Sequence, residues 1–137
     1  PMHAETIATA IKIGNPVSYP RAVRALRWTD GVVEQVTDQE IMDAKAMIDA
    51  QGIGCEPASG CSLAGTRKLV EKGIIKPQDT VVAVLTGHLL KDPDATINYH
   101  ADGLQGIKAA YPNAIHEVEP SAEAIAAILM RREEGVR

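Results

Sequence analysis

Apolar residues recur at helical spacing in several parts of the chain, and polar capping residues mark where these parts begin. Thr37 and Glu40 match a capping box, in which each side chain bonds the other residue's backbone amide. The helix that follows is predicted to run to Ala50, with Ile41, Ala44, Met47 and Ile48 facing inward. Four further helices are predicted, over 6–13, from Ser18 to Asp30 with Val23, Leu26 and Trp28 on the buried side, over 58–71 and over 121–130.

Residues 80–85 have a different pattern, an unbroken apolar run from Val81 to Leu85. A segment that is apolar on both faces is typical of a central strand in a parallel sheet covered by helices. Shorter strands are predicted over 32–36 and 115–118, and residues 53–56 are predicted to form a brief extended segment that leads into the next helix. The order of elements predicts an α/β fold, a partial doubly wound and mostly parallel sheet flanked by helices. Because so few strands leave exposed sheet edges, partner strands are expected from the missing N-terminal half of a longer protein or from a second copy.

The length of 137 residues fits a single domain over 1–137. Residues 93–113 are predicted to form an irregular polar insertion that has a helical turn near 104–109.

Hydrophobic residues make up 45%, charged residues 23%, and the formal net charge is -4. This acidic balance argues against nucleic acid or an anionic membrane as a partner. Arg21, Arg24 and Arg27 are spaced to share one solvated helix face. Without a long apolar stretch or a signal pattern, the expected location is cytoplasmic.

The predicted strand at 80–85 leads into Thr86, Gly87 and His88. Ligands of α/β sheets gather at the carboxyl ends of strands, where a Thr hydroxyl can bond a ring nitrogen and a Gly permits close approach. The alternative is an ordinary strand-end turn that carries a surface histidine. Residues 55–59 lie at a predicted helix entrance that favours anions, although Glu56 there also fits a plain dipole-stabilising carboxylate.

Other kinds of site are not supported by the sequence. Cys55 and Cys61 are too far apart for a common zinc knuckle, lack a second ligand pair and do not form a disulfide framework. The four histidines accompany no nucleophile elbow, and neither a Walker loop nor a dinucleotide fingerprint is present. No metal ligand is therefore predicted.

Three segments taken together resemble threonine synthase, a fold-type II enzyme that depends on pyridoxal 5'-phosphate (PLP). They are Glu5-Thr6-Ile7-Ala8-Thr9-Ala10 through Ser18, Cys55-Glu56-Pro57-Ala58-Ser59 through Gly65, and Leu85-Thr86-Gly87-His88 with Leu90 through Asp94. The likeness covers residues 3 to 94 in order and spacing. Leu89 departs from the glycine common in the family, which puts the loop conformation in doubt because Leu adopts positive φ only at a cost.

The resemblance implies that Thr86 bonds the pyridine nitrogen of PLP, which a hydroxyl partner leaves largely unprotonated. It also implies that Gly87 permits the close approach. Ala8, Thr9 and Ala10 would lie near one ring face, and Glu56 and Ser59 near the rim of the pocket. The activity implied is that of a lyase of threonine biosynthesis, which converts O-phospho-L-homoserine and water to L-threonine and phosphate.

The resemblance also implies that two functional parts of the family are missing from this chain. In this family the Schiff-base lysine and the phosphate loop precede the first motif, and nothing in this chain matches them. No catalytic residue is therefore assigned, the lysines are interpreted as solvated, and the chain alone is expected to be inactive and not to retain PLP. Two alternatives remain open, a non-catalytic, free-standing interaction module and a part of another fold-type II enzyme such as a threonine dehydratase or cysteate synthase.

Overall fold

The computed structural model describes residues 1–134, so the last three residues of the predicted domain, 135–137, lie outside it. The helices are α1 (Tyr19–Thr29), α2 (Asp38–Asp49), α3 (Pro57–Glu71), α4 (Pro93–His100) and α5 (Ala122–Glu134). Two 3-10 turns, Thr9–Ile11 and Leu89–Lys91, accompany them. None of the helices in residues 1–134 combines the length and the apolar composition that crossing a membrane requires.

Helix α2 begins at the capping box that the sequence predicts. The amide of Glu40 donates to the Thr37 hydroxyl at 3.3 Å, and the amide of Thr37 donates to Glu40 Oε2 at 2.6 Å. Two backbone donors that the first turn leaves without helical partners are thereby satisfied. The predicted start of this helix is confirmed.

Helices α2 and α3 pack closely against each other. Gly60 of α3 makes the approach possible, because a Cβ at that position would lie 2.5 Å from the carbonyl oxygen of Ile41. Ile41 and Ala44 are buried, as predicted for the inward face of α2. The small residues at the start of α3 therefore serve helix packing.

The opposite side of α2 packs against α4, which follows it by about 50 positions in the sequence. Met42 and Ala46 form a buried cluster with Ala95 and Tyr99 of α4. The Tyr99 hydroxyl donates to Asp43 Oδ1 at 2.5 Å and accepts from the amide of Tyr111 at 3.2 Å. Because both sides are covered, α2 buries six of its twelve residues.

The prediction of an irregular insertion over 93–113 differs from the structure, since its first eight residues form α4. Pro93 occupies the first turn of this helix, and the Asp92 carboxylate accepts from the amide of Ala95 at 3.4 Å. Both are ordinary signals of a helix start. The predicted turn near 104–109 is a single hydrogen-bonded turn, in which the amide of Ile107 donates to the carbonyl of Leu104.

The predicted parallel sheet is not found in the part of the chain that the structure describes. Residues 32–36, 80–85 and 115–118 form no strand, and the single β-bridge joins Cys55 to His88 in antiparallel fashion. A strand is defined by the backbone that pairs with it, and an apolar pattern predicts burial without supplying that partner. Val82 and Val84 are accordingly 83% and 65% exposed.

Three smaller predictions need correction. The helix over 6–13 shrinks to the turn Thr9–Ile11, because Asp38 accepts from both the Thr6 hydroxyl and the amide of Ile7 and holds this backbone outside a helix. Trp28 is 78% exposed rather than buried, and the Arg24 guanidinium lies 5.1 Å from its ring centroid.

Lys45 is the third correction, because a solvated side chain is predicted for it, as for the other lysines. It is 1% exposed, and its ammonium group pairs with the carboxylate of Asp49 one turn further along α2. A buried charge of this kind persists only where a partner compensates its desolvation.

Candidate functional site

The loop that follows residues 80–85 is joined by its backbone to the entrance of α3. The amide of Glu56 donates to the carbonyl of Gly87 at 2.9 Å, and the amide of Leu89 donates to the carbonyl of Gly54 at 3.3 Å. These bonds run on either side of the bridge between Cys55 and His88. The loop and the start of α3 are therefore fixed in register with each other.

Ser59, in the first turn of α3, fixes the loop through its side chain. Its hydroxyl oxygen accepts from the amide of Thr86 at 3.0 Å and from the amide of Gly87 at 3.2 Å. Ser59 is 1% exposed. Both loop amides thus have a buried partner, which holds the backbone beneath Thr86 in one position.

The Thr86 side chain is exposed and lies beside two polar groups of α3. Its Oγ1 is 3.3 Å from Ser59 Oγ and 3.3 Å from Glu56 Oε1. The second carboxylate oxygen of Glu56 pairs with the ammonium group of Lys91 at 3.1 Å. Glu56 is only 4% exposed, and these two partners compensate the burial of its carboxylate.

Glycine at position 87 makes room for the carboxylate. A methyl group built there would overlap the carboxyl group of Glu56. Gly54 is needed for a similar reason, since the Leu89 side chain occupies the place its Cβ would take. Leu89 itself is in a 3-10 turn and not among the described residues with positive φ, so its departure from the family pattern requires no strained backbone.

The first 3-10 turn reaches the same region from the other end of the chain. It contacts α3, and the Thr9 hydroxyl donates to Asp92 Oδ2 at 3.0 Å. Thr9 and Ala10 are exposed, whereas Ala8 is 0% exposed. Thr9 and Ala10 are therefore the predicted residues of this turn whose side chains a ligand can reach.

His88 has a local role. Its Nδ1 accepts from the amide of Leu90 at 3.2 Å and caps the second 3-10 turn. This contact agrees with the simpler of the two interpretations of His88, a histidine in a surface turn.

Cys55 lies behind the site and is 1% exposed. Burial, and secondarily the neighbouring carboxylate of Asp49, raise the pKa of its thiol to about 11. The same carboxylate accepts from the amide of Cys55 at 3.1 Å. A thiol with so high a pKa stays protonated near neutral pH and is a poor nucleophile. Both cysteines are free, and in residues 1–134 no group of three His, Cys, Asp or Glu side chains is arranged to hold a metal ion.

The structure thus brings together Thr86, Gly87, Glu56 and Ser59, and Thr9 bonds Asp92, which follows the lysine that pairs with Glu56. Two participants were not identified from the sequence, namely Lys91 as the partner of Glu56 and Asp92 as the partner of Thr9. The signal that could have found them is their place in the third motif segment, immediately after the loop. Their contacts span 35 and 83 positions, which local patterns do not encode.

Comparison with known proteins gives two results. A family model described as "Pyridoxal-phosphate dependent enzyme" matches residues 1–87. Curated relatives named threonine synthase are similar to this chain, with 54% identity in Methanosarcina acetivorans over 69% of this chain and 24% of the relative, and 53% in Methanocaldococcus jannaschii over 68% and 23%.

A third relative, "Threonine synthase 2, chloroplastic" of Arabidopsis thaliana, is 40% identical over 79% of this chain and 21% of its own length. The chain therefore spans about a quarter of the length of the curated relatives it matches. Since the family model covers well over half of the residues, the chain belongs to the pyridoxal-phosphate dependent enzymes.

Proposed function

We propose that this chain is the C-terminal part of a threonine synthase, which converts O-phospho-L-homoserine and water to L-threonine and phosphate. The observation that carries the proposal is the convergence of the three segments that resemble that family. Thr86 bonds Glu56 across 30 positions and Thr9 bonds Asp92 across 83, so segments distant in sequence meet in one place. Relatives that bear the name threonine synthase support the same assignment.

The residues at this place are suited to one part of PLP, its pyridine nitrogen. Thr86 offers an exposed hydroxyl whose backbone is fixed by Ser59, and Gly87 adds no side chain beside it. Thr9 and Ala10 are small enough to lie near a flat ring. When bound, PLP supplies an electron sink for negative charge that develops on the substrate. In this proposal Thr86 binds and orients the ring nitrogen, while Ser59 and Glu56 hold Thr86 in place.

The remaining contributions come from residues outside this chain. We propose that the rest of the enzyme provides the lysine that binds PLP covalently and the phosphate-binding loop. Residues 80–85 are proposed to become a strand of its parallel sheet, which would cover the exposed Val82 and Val84. The proposed location is the cytoplasm.

A second candidate, a non-catalytic interaction module, is favoured by one observation, the same exposed valines. They would then bind a separate partner rather than the rest of an enzyme. A third candidate, another fold-type II enzyme such as threonine dehydratase, shares the cofactor and differs in substrate.

Assays of the complete enzyme distinguish these three candidates. They measure phosphate release from O-phospho-L-homoserine and threonine formation. Release of phosphate with formation of threonine is the expected result. Deamination of threonine without phosphate release would establish the dehydratase, and absence of both activities in a folded protein would favour the module.

A variant then tests the role of Thr86. Thr86→Val removes the hydroxyl and keeps the shape, so PLP should bind about 2–13-fold more weakly, as expected for one hydrogen bond worth about 0.5–1.5 kcal/mol. Thr96→Val is a matched control, because the buried Thr96 hydroxyl has no hydrogen-bond partner in the described residues. PLP affinity that is unchanged in Thr86→Val would contradict the assigned contact.

A further inference from the structure

The backbone just before the first 3-10 turn is fixed at the start of α2. Asp38 accepts from the Thr6 hydroxyl at 2.5 Å and from the amide of Ile7 at 3.0 Å. The Thr6 oxygen in turn accepts from the amide of Ala8 at 3.1 Å. Residues 6–8 are therefore held against the start of α2, and the exposed part of the turn comes directly after them.

Thr9, the next residue, is bound at the start of another helix. Its hydroxyl donates to Asp92 Oδ2 at 3.0 Å, and Asp92 is the residue before the first residue of α4. The buried residues of α2 and α4 belong to one cluster. The segment 6–9 is therefore held at two points, by Asp38 and by Asp92, and both points lie at the starts of helices that pack against each other.

Asp92 is itself fixed along the chain in both directions. Its amide donates to the carbonyl of Leu89 at 3.2 Å, at the end of the second 3-10 turn. On the other side, Ala95 lies in the first turn of α4 and is 5% exposed, within the cluster shared with α2. The position of the carboxylate that Thr9 meets is therefore set by the interior of the chain.

The two oxygens of the Asp92 carboxylate have different partners. Oδ1 accepts from the amide of Ala95 at 3.4 Å and caps α4, whereas Oδ2 binds Thr9. A helix cap needs one side-chain oxygen, which Ser or Asn provides as well as Asp. The second oxygen is therefore what distinguishes Asp92 from an ordinary N-cap residue.

We propose that Asp92 is a positioning residue that holds Thr9 and Ala10 at the face of the cofactor ring. The proposal deepens the proposed function and rests on it, because the ring concerned is that of PLP. Thr9 acts in the site through its bond to Asp92, which keeps the small side chains of the turn in one place. Without that bond the turn loses a fixed point beside the ring, and ordering the turn again on binding costs free energy.

The experiment measures PLP binding to the complete enzyme by titration of the cofactor-free form, with the fluorescence of bound PLP as the signal. Asp92→Ser keeps a cap for α4, but the amide of Ala95 occupies its single side-chain oxygen, so Thr9 loses its partner. Thr9→Val removes the same bond from the other side. Each variant should bind PLP about 2–5-fold more weakly, in the lower part of the range for one hydrogen bond, because this bond is exposed.

A double variant separates positioning from independent contacts. If Thr9 acts through Asp92, Thr9→Val combined with Asp92→Ser should bind PLP no more weakly than either single variant. The emission maximum of bound PLP reports the surroundings of the ring, and it should move alike in all three. Thr9→Ser restores the hydroxyl and should recover most of the affinity that Thr9→Val loses.

Asp94→Ser is the matched control, because it removes the other carboxylate from the start of α4, at an exposed position. It should leave the affinity for PLP and the emission of bound PLP unchanged.

Three results would overturn the proposal. The first is wild-type affinity and emission in Asp92→Ser, including the case in which only its stability to urea falls, since Asp92 would then be a helix cap and nothing more. The second is a double variant weakened by the product of the two single effects. The third is Thr9→Ser as weak as Thr9→Val, which needs no variant of Asp92 to fold. Wild-type enzyme that binds no PLP would instead refute the proposed function, and with it this proposal.

Discussion

Met42 and Val82 are both apolar residues within apolar patterns, yet Met42 is 1% exposed and Val82 is 83% exposed. Met42 belongs to what we call the α2 region, the helix α2 with the parts of α3 and α4 that pack on it. Val82 belongs to the valine segment, residues 80–85, which forms no strand. An apolar pattern shows that a segment is suited to burial and does not show which part of a protein buries it.

The two regions also differ in the contacts that support them. The α2 region contains several buried contacts, among them the hydrogen bond of Tyr99 to Asp43 and the ion pair of Lys45 with Asp49. The candidate site lies between the two regions, with Ser59 on α3 fixing the loop that follows the valine segment. Its geometry thus depends on the α2 region for support.

Truncation of Met42 should have the largest effect on stability. Met42→Ala removes a fully buried side chain from the cluster with Ala95 and Tyr99, and the free energy of unfolding should fall by about 2–5 kcal/mol. Urea unfolding of the chain measures this change in the free energy of unfolding. Met130→Ala, at a position that is 68% exposed, is the control and should change stability by less than about 0.5 kcal/mol. Equal losses in the two variants would show that the α2 region is not the stable part.

Gly60 provides a second way to test the α2 region. Gly60→Ala places a methyl group against the backbone of Ile41, and overpacking of this kind should cost about 1–3 kcal/mol. Gly65→Ala is a matched control in the same helix, because its new methyl group would meet no atom within 4 Å. It should stabilise the chain by about 0.5–1 kcal/mol through helix propensity alone. Stabilisation by both variants would mean that α2 and α3 are not packed closely in solution.

The sequence predicted the α2 region better than it predicted the rest. The capping box located the start of α2 because it is a local signal within four residues. Burial of Lys45 was missed because periodicity classifies a lysine as solvent-facing, whereas here the pairing with Asp49 makes burial possible. Helix α4 was missed although Asp92 and Pro93 mark its start, since the polar composition of 93–113 outweighed that local signal.

The site was predicted in part, through resemblance rather than through pattern. Thr86, Glu56 and Ser59 were named as neighbours of one ligand, and the structure places them within hydrogen-bond distance of one another. Their role in cofactor binding stays a prediction. Lys91 was missed because nothing in the spacing of a surface lysine shows that a buried carboxylate will pair with it.

The smallest effect is expected in the valine segment, and it bears most directly on the comparison. Val82→Thr replaces a methyl group by a hydroxyl at an exposed position, so the free energy of unfolding of this chain should change by less than about 0.5 kcal/mol. Val70→Thr, on an exposed position of α3, is the control and should behave alike in the chain and in the complete enzyme. If the proposed sheet covers residues 80–85 in the complete enzyme, the same Val82 substitution should there cost about 1–3 kcal/mol, because a buried hydroxyl would lack a partner. A large loss in the chain alone would mean that the valine segment already has an interior, and the contrast with the α2 region would fail.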